Sequence, residues 1–448
     1  MIASRPATGG VARSSAWLLF ERLLQVALAS VTWLLVARLL GPQDYGRLAY
    51  ASAALALAIP AVVALHPLLV KRFSSSPGDK QREIAAAWSV SVRIGLLALI
   101  VPIGFALARA GEPVAMAATL VAGAALLSAG PLTGEPLLIA EGRARALSLT
   151  RSAGTFLFSA ARIAVAAAGG GAVALAGVTA VQAIGVALAI FWVSGGARLL
   201  RRARGADTRA SRTSLVTDGR PLVLAGLAVA VYMSADQLML GLMSTDQETG
   251  QYGVAVRIIE ATYLLPMAVM VAASPGIARA KMASEMDYRL RVQALASYVL
   301  LGSLLSLGAL ALFIRPLLDL VLAGAYPQTP GLVLALLFAG VFVALGVAQG
   351  PWVINEGLTR FLLGRTLAGG GVNITLNLLL IPGYGGYGAA WATVVSYGVA
   401  AVVSNAIYAP ARPYLRVQVA ALNPVRTYQL VVRDLRGLRL QRAGASKA

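Results

Sequence analysis

The chain has 448 residues, 58% of them hydrophobic and only 12% charged, with a formal net charge of +20. Ordinary globular domains hold roughly 45–50% and 25%, so the charges are too few to cover a soluble surface, and a soluble multidomain protein is excluded. With no cysteine and one histidine, His66, disulfides, thiolate metal sites, cysteine nucleophiles and His-rich metal centres are excluded as well.

Uncharged runs reach 23 residues at Leu48–Val70, 36 at Leu320–Asn355 and 46 at Thr366–Ala411, whereas a bilayer-spanning helix needs about 20. The expected fold is an all-α polytopic membrane protein with about twelve transmembrane helices. In chain order, residues 1–15 form a polar segment without the basic–apolar–cleavage pattern of a signal peptide. Apolar windows then place helices near 16–37, 47–70, 84–108, 113–134, 147–168 and 172–196. His66, in the second of these, reads as a packing or helix-end residue, since no partner motif accompanies it. A basic connector over 197–219 follows, and the second set lies near 220–243, 252–274, 290–314, 328–353, 361–381 and 386–409. Residues 410–448 are a basic tail in which Tyr428, Val431, Leu435 and Leu438 share one helical face; a short basic helix on an anionic leaflet and a solvated, topology-setting tail both suit it. No phosphate-binding P-loop occurs, and no cofactor or metal is expected.

Thirty-one of the 38 Lys and Arg fall on one side of this arrangement, and only Arg38, Arg47, Arg109, Arg162 and Arg315 on the other. The positive-inside rule then puts both termini in the cytoplasm of a multi-pass inner-membrane protein. The same asymmetry accounts for the basic composition without nucleic acid.

The connector divides the helices into an N-lobe (16–196) and a C-lobe (220–409) of six each. Tyr45-Gly46 recurs as Tyr252-Gly253, offset by 207 residues, and Glu141-Gly142 as Glu356-Gly357, offset by 215. The order of these matches points to a duplicated six-helix unit. An even number of spans per unit makes it a parallel repeat, a common transporter plan.

Three segments carry a resemblance. They are Leu39-Leu-Gly-Pro-Gln-Asp-Tyr-Gly46, Asp236-Gln-Leu-Met-Leu-Gly241 with Gly250-Gln-Tyr-Gly-Val-Ala-Val-Arg257, and Asn373-Ile-Thr-Leu-Asn-Leu-Leu-Leu-Ile-Pro-Gly-Tyr-Gly-Gly-Tyr-Gly-Ala-Ala-Trp-Ala-Thr393. Together they resemble the polysaccharide flippases of the O-antigen exporter type, within the superfamily that also holds multidrug extruders and lipid II flippases. The resemblance covers about residues 16–409. It implies a two-lobed, V-shaped bundle with a central cavity that moves an undecaprenyl-pyrophosphate-linked oligosaccharide outward by alternating access. It further implies membrane lipids as partners, and other polysaccharide-assembly membrane proteins as a further partner class. Lipid II flippases carry two more helices than the twelve read here.

Charges inside spans are costly and usually functional. Here they are Glu21, Arg22, Arg93, Asp236, Arg257 and Glu260, with Arg162 nearer a helix end. Guanidinium presents a rigid fork to phosphate oxygens and keeps its charge, so Arg22, Arg93 and Arg257 are the candidate ligands of a lipid-linked pyrophosphate. The resemblance agrees for helices 1 and 8. Arg93 could equally pair with Asp236 or Glu260. Glu21, Asp236 and Glu260 are either ion-coupling sites or counter-ions to the arginines. Arg72 and Arg279, at helix ends, read as snorkelling anchors. A cation-coupled drug exporter on the same fold and a lipid II flippase are the alternative functions; the exporter would need cavity carboxylates rather than arginines, and the helix count lowers the lipid II reading. A membrane-embedded enzyme is disfavoured, because no predicted outer loop exceeds about 15 residues.

Overall fold

A computed structural model describes residues 8–75, 79–203, 207–430 and 433, with side chains described from residue 28 onward. Among the described residues every regular element is a helix. The first, α1 (Thr8–Val63), is broken at Gly41, whose φ of 73° and ψ of 169° fall in a region open essentially to glycine. Pro42 then opens the next helical segment, where its missing N–H costs nothing. After α1 come α2 (His66–Ser75), α3 (Lys80–Ala98) and α4 (Ile100–Leu107). Next, α5 (Pro113–Gly123) passes through 3₁₀ turns into α6 (Gly134–Ala140), and this pair is bent by 43°. The following helices are α7 (Ala144–Ala167), α8 (Ala172–Val193), α9 (Gly196–Arg202) and α10 (Arg209–Met243). They are succeeded by α11 (Asp246–Thr262), α12 (Leu264–Ala283), α13 (Glu285–Leu322) and α14 (Thr329–Asn355). The last are α15 (Thr359–Gly398), broken at Gly385 (φ 52°), α16 (Ser404–Ile407) and α17 (Arg412–Ala421).

Eight helical runs are long and apolar enough to cross a membrane. Adding the bent α5–α6 pair and α7, and dividing two of the eight at Gly41 and Gly385, gives the twelve segments that the sequence predicts. Of these, α7 is not apolar enough to count as a span by itself, and it carries Arg145, Arg151 and Arg162.

Two compact units result. The first comprises residues 1–254, 318–329 and 373–389. Its core is built from Leu65, Leu69, Phe73, Ile84 and Leu137 at one end and Leu55, Ala58, Val62, Leu126 and Ala129 further along. The second comprises 255–317, 330–372 and 390–448, around Tyr288, Leu295, Val299, Leu345, Trp352, Val353 and Tyr414.

The two Glu-Gly matches occupy the same local structure. Gly142 and Gly357 have φ of 68° and 70°, and the residues after them, Arg143 and Leu358, each donate a backbone N–H to the carbonyl five residues back. This is the glycine-terminated helix end. Each glutamate also accepts from a lysine: Glu141 from Lys80 at 3.1 Å and Glu356 from Lys281 at 2.8 Å. The match therefore records a helix stop tied by an ion pair.

Candidate functional site: charges within the membrane-length helices

Of the residues singled out from sequence, Glu21 and Arg22 lie on α1, but their side chains fall outside the described residues. Arg93, on α3, is exposed and makes no ion pair or hydrogen bond among the described residues, so Asp236, in the same unit, does not neutralise it. Arg257 and Glu260 lie one turn apart on α11, and the guanidinium donates to the carboxylate at 3.2 Å. Both remain open, with 46% and 38% of their side-chain surfaces exposed. Asp236 is different. It is 8% exposed, and its carboxylate accepts the hydroxyl of Tyr252 and the backbone N–H of Gln237. The fully buried Tyr252 belongs to the second Tyr-Gly match, so that match serves to hold α11 on α10.

Arg162 is the residue that sequence reasoning placed among the outer charges and passed over. It sits within α7, and its Nη2 donates to Oε1 of Gln182 on α8, while the guanidinium carbon is 5.3 Å from the centre of the Trp33 ring. Its Nε is buried without a hydrogen-bond partner, and no carboxylate pairs with it among the described residues. The signal in the sequence was its depth in a 24-residue helix; its neighbours on other helices could not be read there.

A second group lies on the far side of Gln182. A cavity of about 480 Å³ among Leu55, Ile59, Leu126, Val186 and Ile190 also exposes Thr155, Thr179 and Gln182. Glu135 and Arg151 close one end as an ion pair, and Nδ1 of His66 lies 3.6 Å from the same carboxylate. His66 opens α2, as its reading as a helix-end residue expects.

The charges near helix ends are largely neutralised. Arg47 pairs with Asp44 and Asp246, each at 2.8 Å, and Arg109 with Asp246 at 2.7 Å and with Glu112. The hydrogen bond from Arg109 holds the Glu112 carboxyl below the usual carboxylate range. The 44/47 and 109/112 pairs have the three-residue spacing of one helical turn, which the sequence displays; Asp246, 199 residues from Arg47, it does not. Arg72, read as a snorkelling anchor, pairs with Asp218 at 2.9 Å and Glu83 at 3.6 Å and donates to Ser214 and the Ser211 carbonyl. That clasp links α2 and α3 to the first turns of α10, which begins at Arg209, inside the expected connector.

The comparisons agree with this architecture. Residues 11–281 match the family described as polysaccharide biosynthesis protein, and the chain belongs to that family. No curated protein matches it. Among solved structures it is similar to a lipid II flippase MurJ in an inward closed conformation, with a TM-score of 0.70 and 13% identity over 93% of this chain and 92% of that one. It is also similar to an inward-facing multidrug resistance MATE family transporter of the MOP superfamily, with a TM-score of 0.66 and 16% identity over 88% and 95%. At these identities the likeness establishes the shared fold, that of a multi-pass all-α membrane protein.

Proposed function

We propose that this protein is a flippase that carries a polyprenyl-pyrophosphate-linked oligosaccharide from the inner to the outer leaflet of the cytoplasmic membrane, with both termini in the cytoplasm. Family membership and fold support the class. The observation that carries the substrate is a pair of arginines within long helices that have no carboxylate partner among the described residues: Arg93 is exposed and unpaired, and Arg162 has only an amide and an aromatic ring. Arg257 is half-exposed beside Glu260. Cations in a span are expensive unless an anion offsets them, and a lipid pyrophosphate supplies that anion with oxygens matched to the guanidinium fork. Arg22 joins the set on its position in α1. No catalytic group is assigned: the work is binding and conformational exchange, not bond making.

The drug-exporter reading needs free carboxylates to receive a cation. Asp236 is buried under Tyr252 and Glu260 is held by Arg257, which disfavours it.

The test is binding of a purified lipid-linked pyrophosphate sugar to the protein in nanodiscs. Arg93→Ala, Arg162→Ala and Arg257→Ala should each weaken binding roughly tenfold to a hundredfold, since a hydrogen bond to a charged group contributes about 1.5–3 kcal/mol. Lysine should recover part of it and glutamine none. Parent-like affinity in all three alanine variants would sink the assignment.

A further inference from the structure

The last membrane-length run ends at Ile407, and α17 begins at Arg412. It is two-faced at helical spacing. Tyr414, Gln418 and Ala421 are 1%, 2% and 5% exposed and pack into the core of the second unit, whereas Arg412, Arg416 and Val419 point away from it. The chain then turns at Asn423, whose Oδ1 accepts the backbone N–H groups of Val425 and Arg426 at 3.0 and 3.3 Å and so caps a second helical stretch over 424–430. The two arms of this elbow enclose a groove of about 410 Å³ lined by Leu415, Arg416, Val419, Ala420, Asn423 and Arg426. One arginine stands on each arm, and neither guanidinium has an ion-pair or hydrogen-bond partner among the described residues. Beside them Val419, Leu422 and Val425 are each about 60% exposed.

We infer that this elbow is a binding site for an anionic phospholipid of the surrounding membrane. The apolar side chains follow directly on a membrane-spanning helix. Lying in the interfacial plane, they reach the acyl region while the arginine heads stay at the level of the phosphates. Two unpaired cations on either side of an apolar floor match a phosphate with a net negative headgroup above an acyl chain. A zwitterionic headgroup brings its own cation, which cancels the phosphate charge and is repelled by the arginines. The Asn423 cap makes the site a shaped one, because it fixes the angle between the arms and hence the separation of Arg416 and Arg426. This inference does not depend on the transported substrate, and it lies upstream of the tail segment whose apolar face the sequence displays, most of which is outside the described residues.

The experiment uses the full-length protein in detergent, titrated with phosphatidylglycerol or phosphatidylcholine, with thermal unfolding as the readout. Phosphatidylglycerol should raise the melting temperature at concentrations where phosphatidylcholine does not. The Arg416→Gln/Arg426→Gln variant should melt like the parent without lipid and need roughly thirtyfold more phosphatidylglycerol for the same shift. Asn423→Ala, with both arginines intact, should also weaken the response. Raising salt from 0.1 to 1 M should reduce the phosphatidylglycerol response of the parent. Equal responses of parent and double variant, equal responses to the two lipids, or the same shift from inorganic phosphate alone would each overturn the inference.

Discussion

Asp236 and Glu260 are both carboxylates on membrane-length helices, and their surroundings give them different tasks. Asp236 is an acceptor for a buried tyrosine hydroxyl and a backbone N–H. An asparagine keeps one acceptor oxygen, so Asp236→Asn should fold and transport. Tyr252→Phe removes the hydroxyl donor and leaves the buried carboxylate the Gln237 N–H, which should cost about 1.5–3 kcal/mol, read as a lowered melting temperature. If ion coupling resides in one of these two carboxylates, Glu260, 38% exposed and paired with Arg257, is the candidate: Glu260→Gln should then bind lipid-linked substrate normally but lose accumulation against a gradient. Unchanged gradient-driven transport in Glu260→Gln would remove Glu260 from coupling. Which residues could be charged within the membrane is legible in the sequence, because the hydropathy runs that enclose them are unbroken. Their partners are not. Tyr252 beneath Asp236, Gln182 and Trp33 around Arg162, and Asp218 beside Arg72 come from other helices, and no spacing rule connects them.

At the scale of elements, the helix breaks are the most readable feature. Gly41-Pro42 and Pro382 through Gly385 announce turns in the sequence, and the structure places positive φ at Gly41 and Gly385, where only glycine is free of strain. Helix length is less readable: α10 and α13 run past their apolar windows, since polar side chains at an inner helix end are satisfied by neighbours such as Arg72. The segment after Gly41 also meets the start of α11 closely. A Cβ added to Gly46 would stand 1.8 Å from the Asp246 carbonyl oxygen, and one added to Gly250 would stand 1.9 Å from that of Pro42. Gly46→Ala should therefore destabilise by about 3 kcal/mol or more, or prevent folding. Gly104→Ala, which meets nothing within 4 Å, should leave the melting temperature unchanged or slightly higher. The neighbouring Arg109–Glu112 pair gives a pH signature. The folded-state pKa of Glu112 is depressed, so its contribution is present above the unfolded value, near 4.3, and is lost as pH falls through the folded one. With the carboxylate half-exposed, the loss should stay under about 1 kcal/mol. Comparing Glu112→Gln with the parent between pH 7 and pH 3 should show a larger acid-side loss in the parent, the difference reporting Glu112.

For the whole molecule, the distribution of charge decides orientation, and the structure shows how the minority side tolerates its arginines. Of the five placed there, Arg47 and Arg109 are neutralised by Asp44, Glu112 and Asp246, and Arg162 is tucked against Gln182 and Trp33 within α7. By contrast, Arg198, Arg201, Arg202 and Arg212 of the connector region have no carboxylate partner among the described residues. Insertion responds to Lys and Arg near helix ends rather than to net charge, so the connector should stay in the cytoplasm even if its few acidic residues are removed. A reporter fused after Gly205, or at Ala448, should accordingly read cytoplasmic, and one after Ser244 should read external. The three sites bracket helices seven to twelve: Gly205 to Ser244 crosses the membrane once, and Ser244 to Ala448 crosses five times. Because each interval holds an odd number of crossings, a single missed or surplus span changes the side on which one reporter lies. Should Gly205 and Ala448 read on opposite sides, the twelve-segment count fails in the second half of the chain. If instead all three readings invert together, the six-segment count of the first half, and with it the repeat, is overturned, or the charge argument is.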